Sequence, residues 1–275
     1  MADTLLRLIT LNSWKGDGNY SKRVELMAKG LKELQPDFVC LQESLRANNP
    51  LVDTAGYLGR ELDLEVTFGP GRFKMRCIEG DRRPCYSGLA ILSRFSPLTS
   101  KLTPLLSCAG DPDRTYLSAF FDWHGQPVTI TNVHLTHLAK EKGLREKQLQ
   151  TVLIGTNLFS EKAPKLGKHD RRERALSFCC GDFNWEVGDA DILNLQTETG
   201  VLLQDCYVKG GGSLPGYTFG FEEGSPSRID YIFNLSQKDD QEIIYHNAKV
   251  ILARRDEDGL SPSDHLGVMV EIELG

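Results

Sequence analysis

Gly181-Asp182-Phe183-Asn184 carries side chains suited to one kind of chemistry. An aspartate is a base and a hard oxygen ligand for a cation, and an asparagine donates to an oxyanion without adding charge. Together they suit attack on a phosphodiester. The same tetrapeptide also makes an ordinary turn, so alone it decides little. Other segments repeat the theme. Apolar runs end in Asn12 (Leu8 to Asn12), Glu43 (Phe38 to Glu43) and His134 (Thr129 to His134, with Asn132 inside). Asp230 lies within the apolar run Arg228 to Phe233, and Asp264 and His265 immediately precede the run Leu266 to Ile272. One catalytic edge built from several strand ends explains this arrangement better than independent accidents.

The elements that must position these groups follow from periodicity. Ala175 to Cys180 reads as a buried strand, and Gly181 lets the chain leave its sheet sharply. Asp182 and Asn184 then project at the carboxyl edge while Phe183 anchors the turn. Val24, Met27, Ala28, Leu31 and Leu34 have helical spacing over Arg23 to Leu34, with Ser21 as the expected N-cap and Pro36 as the exit. Further helices are expected over Leu51 to Leu62, Glu141 to Phe159 and Ala190 to Thr199. Strands are expected over Ser87 to Leu92, Tyr116 to Trp123 and Val128 to Val133, the last two joined by a hairpin at His124-Gly125-Gln126. Gly69 to Pro84 and Ser160 to Arg174 read as basic loops, and Gly210 to Gly212 as a flexible turn. This mixture suggests two packed sheets with helices outside.

Composition sets the bounds. The chain has 275 residues, 40% hydrophobic and 25% charged, as in an ordinary globular protein. No window approaches the roughly 18 apolar residues needed to span a bilayer, and the first residues lack a cationic leader. A cytoplasmic, monomeric protein with no obligate protein partner is the expectation. Seven cysteines without ligand-like spacing read as reduced core thiols, against a disulfide framework or a zinc site. The net charge of −6 disfavours a processive, non-specific nuclease, although local patches matter more than the sum.

Seven motifs occur in order: Leu11-Asn12; Leu41-Gln42-Glu43; Tyr86-Ser87-Gly88 followed by Ile91-Leu92-Ser93-Arg94; Asn132-Val133-His134-Leu135; Gly181 to Asn184; Arg228 to Ile232; and Ser263-Asp264-His265. In this ordered set the chain resembles the endonuclease/exonuclease/phosphatase superfamily of metal-dependent phosphodiesterases, from about Leu8 to Val270. The resemblance implies one domain over 1–275, with an α+β, four-layer α/β/β/α sandwich of the deoxyribonuclease I type. It implies Glu43 as principal metal ligand with Asn12 and Asp264, and Asp182 as the group that positions or deprotonates water. It makes Asn184 a donor to the phosphoryl oxygens, His265 a transition-state stabiliser and Asp230 its orienting carboxylate. Asp230 could instead pair with Arg228. His134 would protonate a leaving oxygen or bind phosphate, and His137 reads as a surface histidine. Tyr86, Arg83 and Asn132 are candidate substrate contacts.

Carboxylates converging on one point require a compensating cation, and an all-oxygen set favours Mg²⁺, with Mn²⁺ as substitute. The expected substrate is a phosphodiester, foremost a nucleic acid. His134 and the segment Ser261 to His265 lean toward tyrosyl-DNA phosphodiesterase and sphingomyelinase branches, whereas Tyr86 leans toward apurinic endonucleases. A phospholipid phosphodiesterase of the neutral sphingomyelinase type is therefore the alternative. A non-catalytic phosphate-binding module is the alternative of another class, although such modules lose core residues and none is lost here.

Overall fold

The computed structural model of the protein describes residues 5–48, 52–164, 175–235 and 243–274. Two six-stranded sheets form its centre. The first contains β1 (Leu5–Asn12), β2 (Phe38–Ala47), β3 (Glu65–Ile78), β4 (Asp81–Ser93), β11 (Ile243–Ile251) and β12 (Gly267–Leu274), in the order β11-β12-β1-β2-β4-β3. The second contains β5 (Thr99–Pro104), β6 (Thr115–Trp123), β7 (Gln126–His134), β8 (Leu176–Asp182), β9 (Gln204–Asp205) and β10 (Asp230–Asn234), in the order β5-β6-β7-β8-β10-β9.

Strand alternation builds the layers. Leu8, Cys40, Phe121, Ile130, Phe178, Cys180 and Val270 point between the sheets and form the central core. Their neighbours Ile9, Val39, Leu41 and Met269 point outward, under α1 (Tyr20–Leu34) and α2 (Thr54–Leu62). On the far side Val133, Cys179 and Phe233 pack under α3 (Lys142–Glu161) and α4 (Asp189–Thr199). Three cores separate four layers, the expected α/β/β/α sandwich. Each sheet holds one parallel pair bridged by a crossover helix, β1-α1-β2 and β7-α3-β8. The remaining pairings are antiparallel. All seven cysteines are free, and Cys40, Cys179 and Cys180 are buried as expected. No described helix is long and apolar enough to cross a membrane.

Several local expectations need correction. The segment Gly69 to Pro84, read as a loop, is most of a long hairpin formed by β3 and β4 around Glu79-Gly80, both at positive φ. Its charges alternate with Phe73, Met75 and Cys77, which is the period-two pattern of a ribbon with two unlike faces. Asn19, not Ser21, caps α1 by accepting from the Lys22 amide, and Ser21 instead donates to Glu79. Asp53 caps α2, which starts at Thr54; Leu51 lies outside the described residues. Helix α3 takes up the start of the expected loop Ser160 to Arg174, whose residues 165–174 are not described. The strands β5, β9 and β11 and the short α5 (Cys206–Lys209) were not foreseen.

Candidate active site

Register brings the polar strand ends together. In the second sheet, His134 is paired with Asp182, and Asp182 with Asp230. Residues directly opposed across strands share a face, so these three side chains form one row. Gly181 makes the exit from β8 possible. Its φ of +147° disfavours any side chain, and an added Cβ would collide with the Val133 carbonyl. Phe183 is fully buried against Tyr231 and Phe233 and fixes the turn. The first sheet supplies Asn12 from the end of β1. It also supplies Glu43 from a bulge in β2, where φ is +54° and the pairing with β4 shifts register. The connection between β11 and β12 brings Asp264 and His265, held by the Ser263 hydroxyl donating to the Asn12 carbonyl at 2.6 Å.

Asp182 is the hub. Its Oδ1 accepts from the Asn184 amide at 2.8 Å and its Oδ2 from Asn12 Nδ2 at 3.0 Å. The same Oδ2 lies 3.4 Å from His134 Nε2 and 3.8 Å from His265 Nε2. His265 Nδ1 meets Asp230 Oδ2 at 2.9 Å, both side chains buried. Arg228, the other conceivable partner of Asp230, pairs with Asp205 at 2.7 Å instead. Phe219 lies against the His265 ring, with centroids 4.5 Å apart. Asn184 holds its side chain by donating to the Leu135 carbonyl.

The electrostatics follow from this packing. Burial works against a charged His265, but Asp230, Asp182 and Asp264 outweigh it and lift the imidazole to about 10. Burial, reinforced by Asp230, pushes Asp182 up to about 7, against His265, Asn12 and Asn184. His134 is driven well below its ordinary value by burial and by the positive charges of Arg114, Lys15, His265 and His137. The site thus pairs a carboxylate that titrates near neutrality with one cationic and one neutral imidazole.

Two groups could hold a cation. Ligand atoms of Asp182, Asp230 and His265 lie within 4.8 Å of one another. In that group, however, Asp230 and His265 already engage each other, and both Asp182 oxygens accept hydrogen bonds. Glu43 and Asp264 suit a hard cation better. Both line the cleft, and the charge of Glu43 adds to the rise that burial imposes on the Asp264 carboxyl, with His265 opposing. Glu43 already faces one cation, the Lys15 ammonium at 2.6 Å. Asn12 turns its Oδ1 to the Trp14 amide, so it supports Asp182 more directly than a metal.

The remaining expected contacts lie elsewhere. Asn132 is fully buried and bridges the sheets: its Oδ1 accepts from Gln42 at 2.7 Å and its Nδ2 donates to the Leu41 and Ala90 carbonyls. An amide spent this way cannot reach substrate. Tyr86 faces away from the cleft and packs on Phe73, while Arg83 pairs with Asp81 near the hairpin end. His137, expected on the surface, is half exposed but stands on the cleft rim, 3.0 Å from Arg114 and 3.3 Å from Asp111.

Sequence reasoning missed several residues. Arg23 has no exposed surface and donates to the carbonyls of Ser13, Trp14, Lys15, Asp17 and Pro262. It thereby ties the loop carrying Asn12 and Lys15 to the one carrying Asp264. A signal existed, since Arg23 precedes Met27 by four residues on the apolar stripe of α1. Asp111, which is buried, and the partly exposed Arg114 form an ion pair 2.7 Å apart beside His134, and nothing in the sequence placed them there. The whole centre opens into a cleft of about 570 Å³.

The sequence pattern described as the Endonuclease/Exonuclease/phosphatase family matches residues 9–265. No curated protein sequence matches the chain. Among solved structures, the fold is similar to an endonuclease/exonuclease/phosphatase family protein from Leptotrichia buccalis C-1013-b (TM-score 0.71, 19% identity, covering 98% of this chain and 99% of that one). It is also similar to D. rerio TDP2 complexed with single strand DNA product (0.71, 22%, 98% and 100%). A third is the human nocturnin catalytic domain with bound sulfate anion (0.70, 18%, 99% and 95%).

Proposed function

The chain belongs to the endonuclease/exonuclease/phosphatase family, whose members hydrolyse phosphoester bonds, and we propose that it is a Mg²⁺-dependent phosphodiesterase acting on nucleic acid. The observation that carries this reading is the row His134, Asp182, Asp230 with His265 closing onto Asp230 at 2.9 Å. Asp182, ionising near neutrality, takes the proton of the attacking water. Asn184 donates to a phosphoryl oxygen. His265, held cationic by Asp230, faces the negative charge that grows on the phosphoryl group. His134, neutral in the free protein, donates a hydrogen bond from its ring N–H to the same group, and the leaving oxygen takes its proton from solvent.

Glu43 and Asp264 would hold Mg²⁺ or Mn²⁺, while Asn12 beside them supports Asp182. Such an ion would supply Lewis acidity to the phosphoryl group and positive charge for the leaving oxygen.

Two observations favour a nucleic acid over a phospholipid. The cleft is lined mainly by polar and charged side chains, with Leu89, Pro112 and Phe219 its larger apolar ones. D. rerio TDP2, similar in fold, was captured with a single-stranded DNA product. Turnover of bis(p-nitrophenyl) phosphate with and without Mg²⁺ tests the catalytic reading against a binding module. Rates on single-stranded, duplex, abasic and 5′-tyrosyl DNA, beside sphingomyelin, test the substrate class. No diester turnover with either metal would sink the proposal, and a preference for sphingomyelin would replace nucleic acid with lipid.

A further inference from the structure

The hydrolytic chemistry leaves one wall of the cleft unused. Arg72, Lys74 and Arg76 alternate along β3, so strand geometry sets all three on one face. All three line the cleft, as does Lys15. Phe73 and Met75, between them, take the opposite face and are exposed. Side chains two residues apart on a strand stand about 7 Å from each other, close enough for like charges to repel.

Their surroundings relieve that repulsion only in part. Among the described residues, no carboxylate lies within ion-pair distance of Arg72, Lys74 or Arg76, whereas other cations of the cleft are committed. Lys15 meets Glu43 at 2.6 Å, and Arg114 meets Asp111 at 2.7 Å. Arg76 Nε is buried without any hydrogen-bond partner. The Lys74 amine is made less basic by its surroundings, first by desolvation and then by the charges of Arg72, Arg76 and Lys15, with the more distant Asp111 opposing. A buried, unsatisfied guanidinium nitrogen inside a row of unpaired cations is costly unless an anion completes it. Evenly spaced cations on a hydrogen-bonded ribbon that lines the cleft of the scissile centre suit a linear polyanion, not a single phosphate.

We propose that Arg72, Lys74 and Arg76 form a track for the backbone phosphates flanking the scissile one, so that the preferred substrate is an oligonucleotide strand. This inference rests on reading the Asp182 centre as a phosphodiesterase. It adds which wall carries the strand. The track also reconciles an acidic chain with a polyanionic substrate, because the positive charge is local.

The test compares wild type with R72Q/K74Q/R76Q, after circular dichroism shows both folded. The ratio of kcat/KM for a single-stranded decanucleotide to that for bis(p-nitrophenyl) phosphate should fall about 10- to 100-fold, mostly through KM. Removing three phosphate contacts should lower the slope of log affinity against log salt by about 2. The charge-keeping variant R72K/R76K should retain most of both. Equal losses on the two substrates, or an unchanged salt slope, would overturn the track. Binding of a fluorescent decanucleotide in the Asp182→Asn background, read by anisotropy, keeps the question separate from catalysis. If wild type hydrolyses no diester, the catalytic reading fails, while a tighter complex without the triple substitution still supports the track. Anionic phospholipid vesicles that displace the oligonucleotide at equal phosphate concentration would overturn the assignment to a strand.

Discussion

Asp230→Asn removes one charge from the centre and nearly nothing of its shape. His265 is lifted from 6.5 to about 10, a difference of 3.5 that corresponds to about 5 kcal/mol in favour of the imidazolium. Asp230 is the leading source of that lift, by its charge and by its hydrogen bond. Without it, burial opposes only Asp182 and Asp264, and His265 should return to about 6.5 or below. At pH 8 the protonated fraction then drops from nearly complete to about 3%, a loss of about 30-fold. The same substitution removes the carboxylate that, after burial, raises Asp182 to about 7. Both limbs of the rate profile should therefore move toward acid, so the bell shifts as a whole and activity partly recovers near pH 6. Stability supplies an independent check. A histidine with a raised folded pKa stabilises fully below 6.5, and the contribution is lost as pH rises through about 10. Wild type should lose thermal stability between pH 7 and 10 from this source, and Asp230→Asn should flatten that decline. The assay is kcat/KM on bis(p-nitrophenyl) phosphate from pH 5 to 10.5 at fixed Mg²⁺, with thermal melts. A uniform loss with unmoved limbs, or barrier changes strictly additive with His265→Ala, would refute the dyad.

Asp182→Asn should cost about 10² to 10⁴ in turnover. It should also raise the melting temperature at pH 8, because the folded protein disfavours the ionised form of Asp182; a lower melting temperature would contradict this account of its environment. Glu43→Gln should weaken activation by Mg²⁺ and recover partly at high Mg²⁺, whereas full wild-type activity in excess chelator would exclude a metal role. Gly181→Ala should destabilise by several kcal/mol, since both its φ and the Val133 carbonyl forbid a Cβ; soluble protein with an unaltered melting temperature would disprove the strain. Arg23→Lys keeps the charge but not the fork that reaches five carbonyls, and should lower stability by about 3 kcal/mol in chemical denaturation.

The layers were legible because burial imposes period two on strands and helical spacing on α1, and both periods survive in the apolar residues alone. The strand-end residues of the centre were legible for a related reason: a polar group closing an apolar run has few other uses. Elements that rest on charge were not. The β3–β4 hairpin carries its period in cations and half-exposed aromatics, and reads as a loop until the alternation is traced through both. Asn132 shows the opposite failure. It follows an apolar strand toward the centre, as His134 does, but a shift of two residues along β7 places it between the sheets. Arg114 and Asp111 come from a connection without periodicity, where only tertiary packing defines the neighbours.

The centre is split between two sheets that, among the described residues, share no strand-to-strand ladder. Asn12 reaches Asp182 across the sandwich, and Gln42 reaches Asn132 beneath it. The reacting groups are thus aligned as two halves of a vernier, each engraved on its own plate. A misplacement of about 1 Å can cost about a hundredfold in rate, so the plates must keep their registration even where no substrate touches them. Leu8, Phe121 and Val270, deep in the central core, set that registration. Evolution of turnover in this protein is therefore constrained through its interior. An exchange between two well-packed apolar residues can be silent for folding and still be selected against, because it offsets one plate from the other.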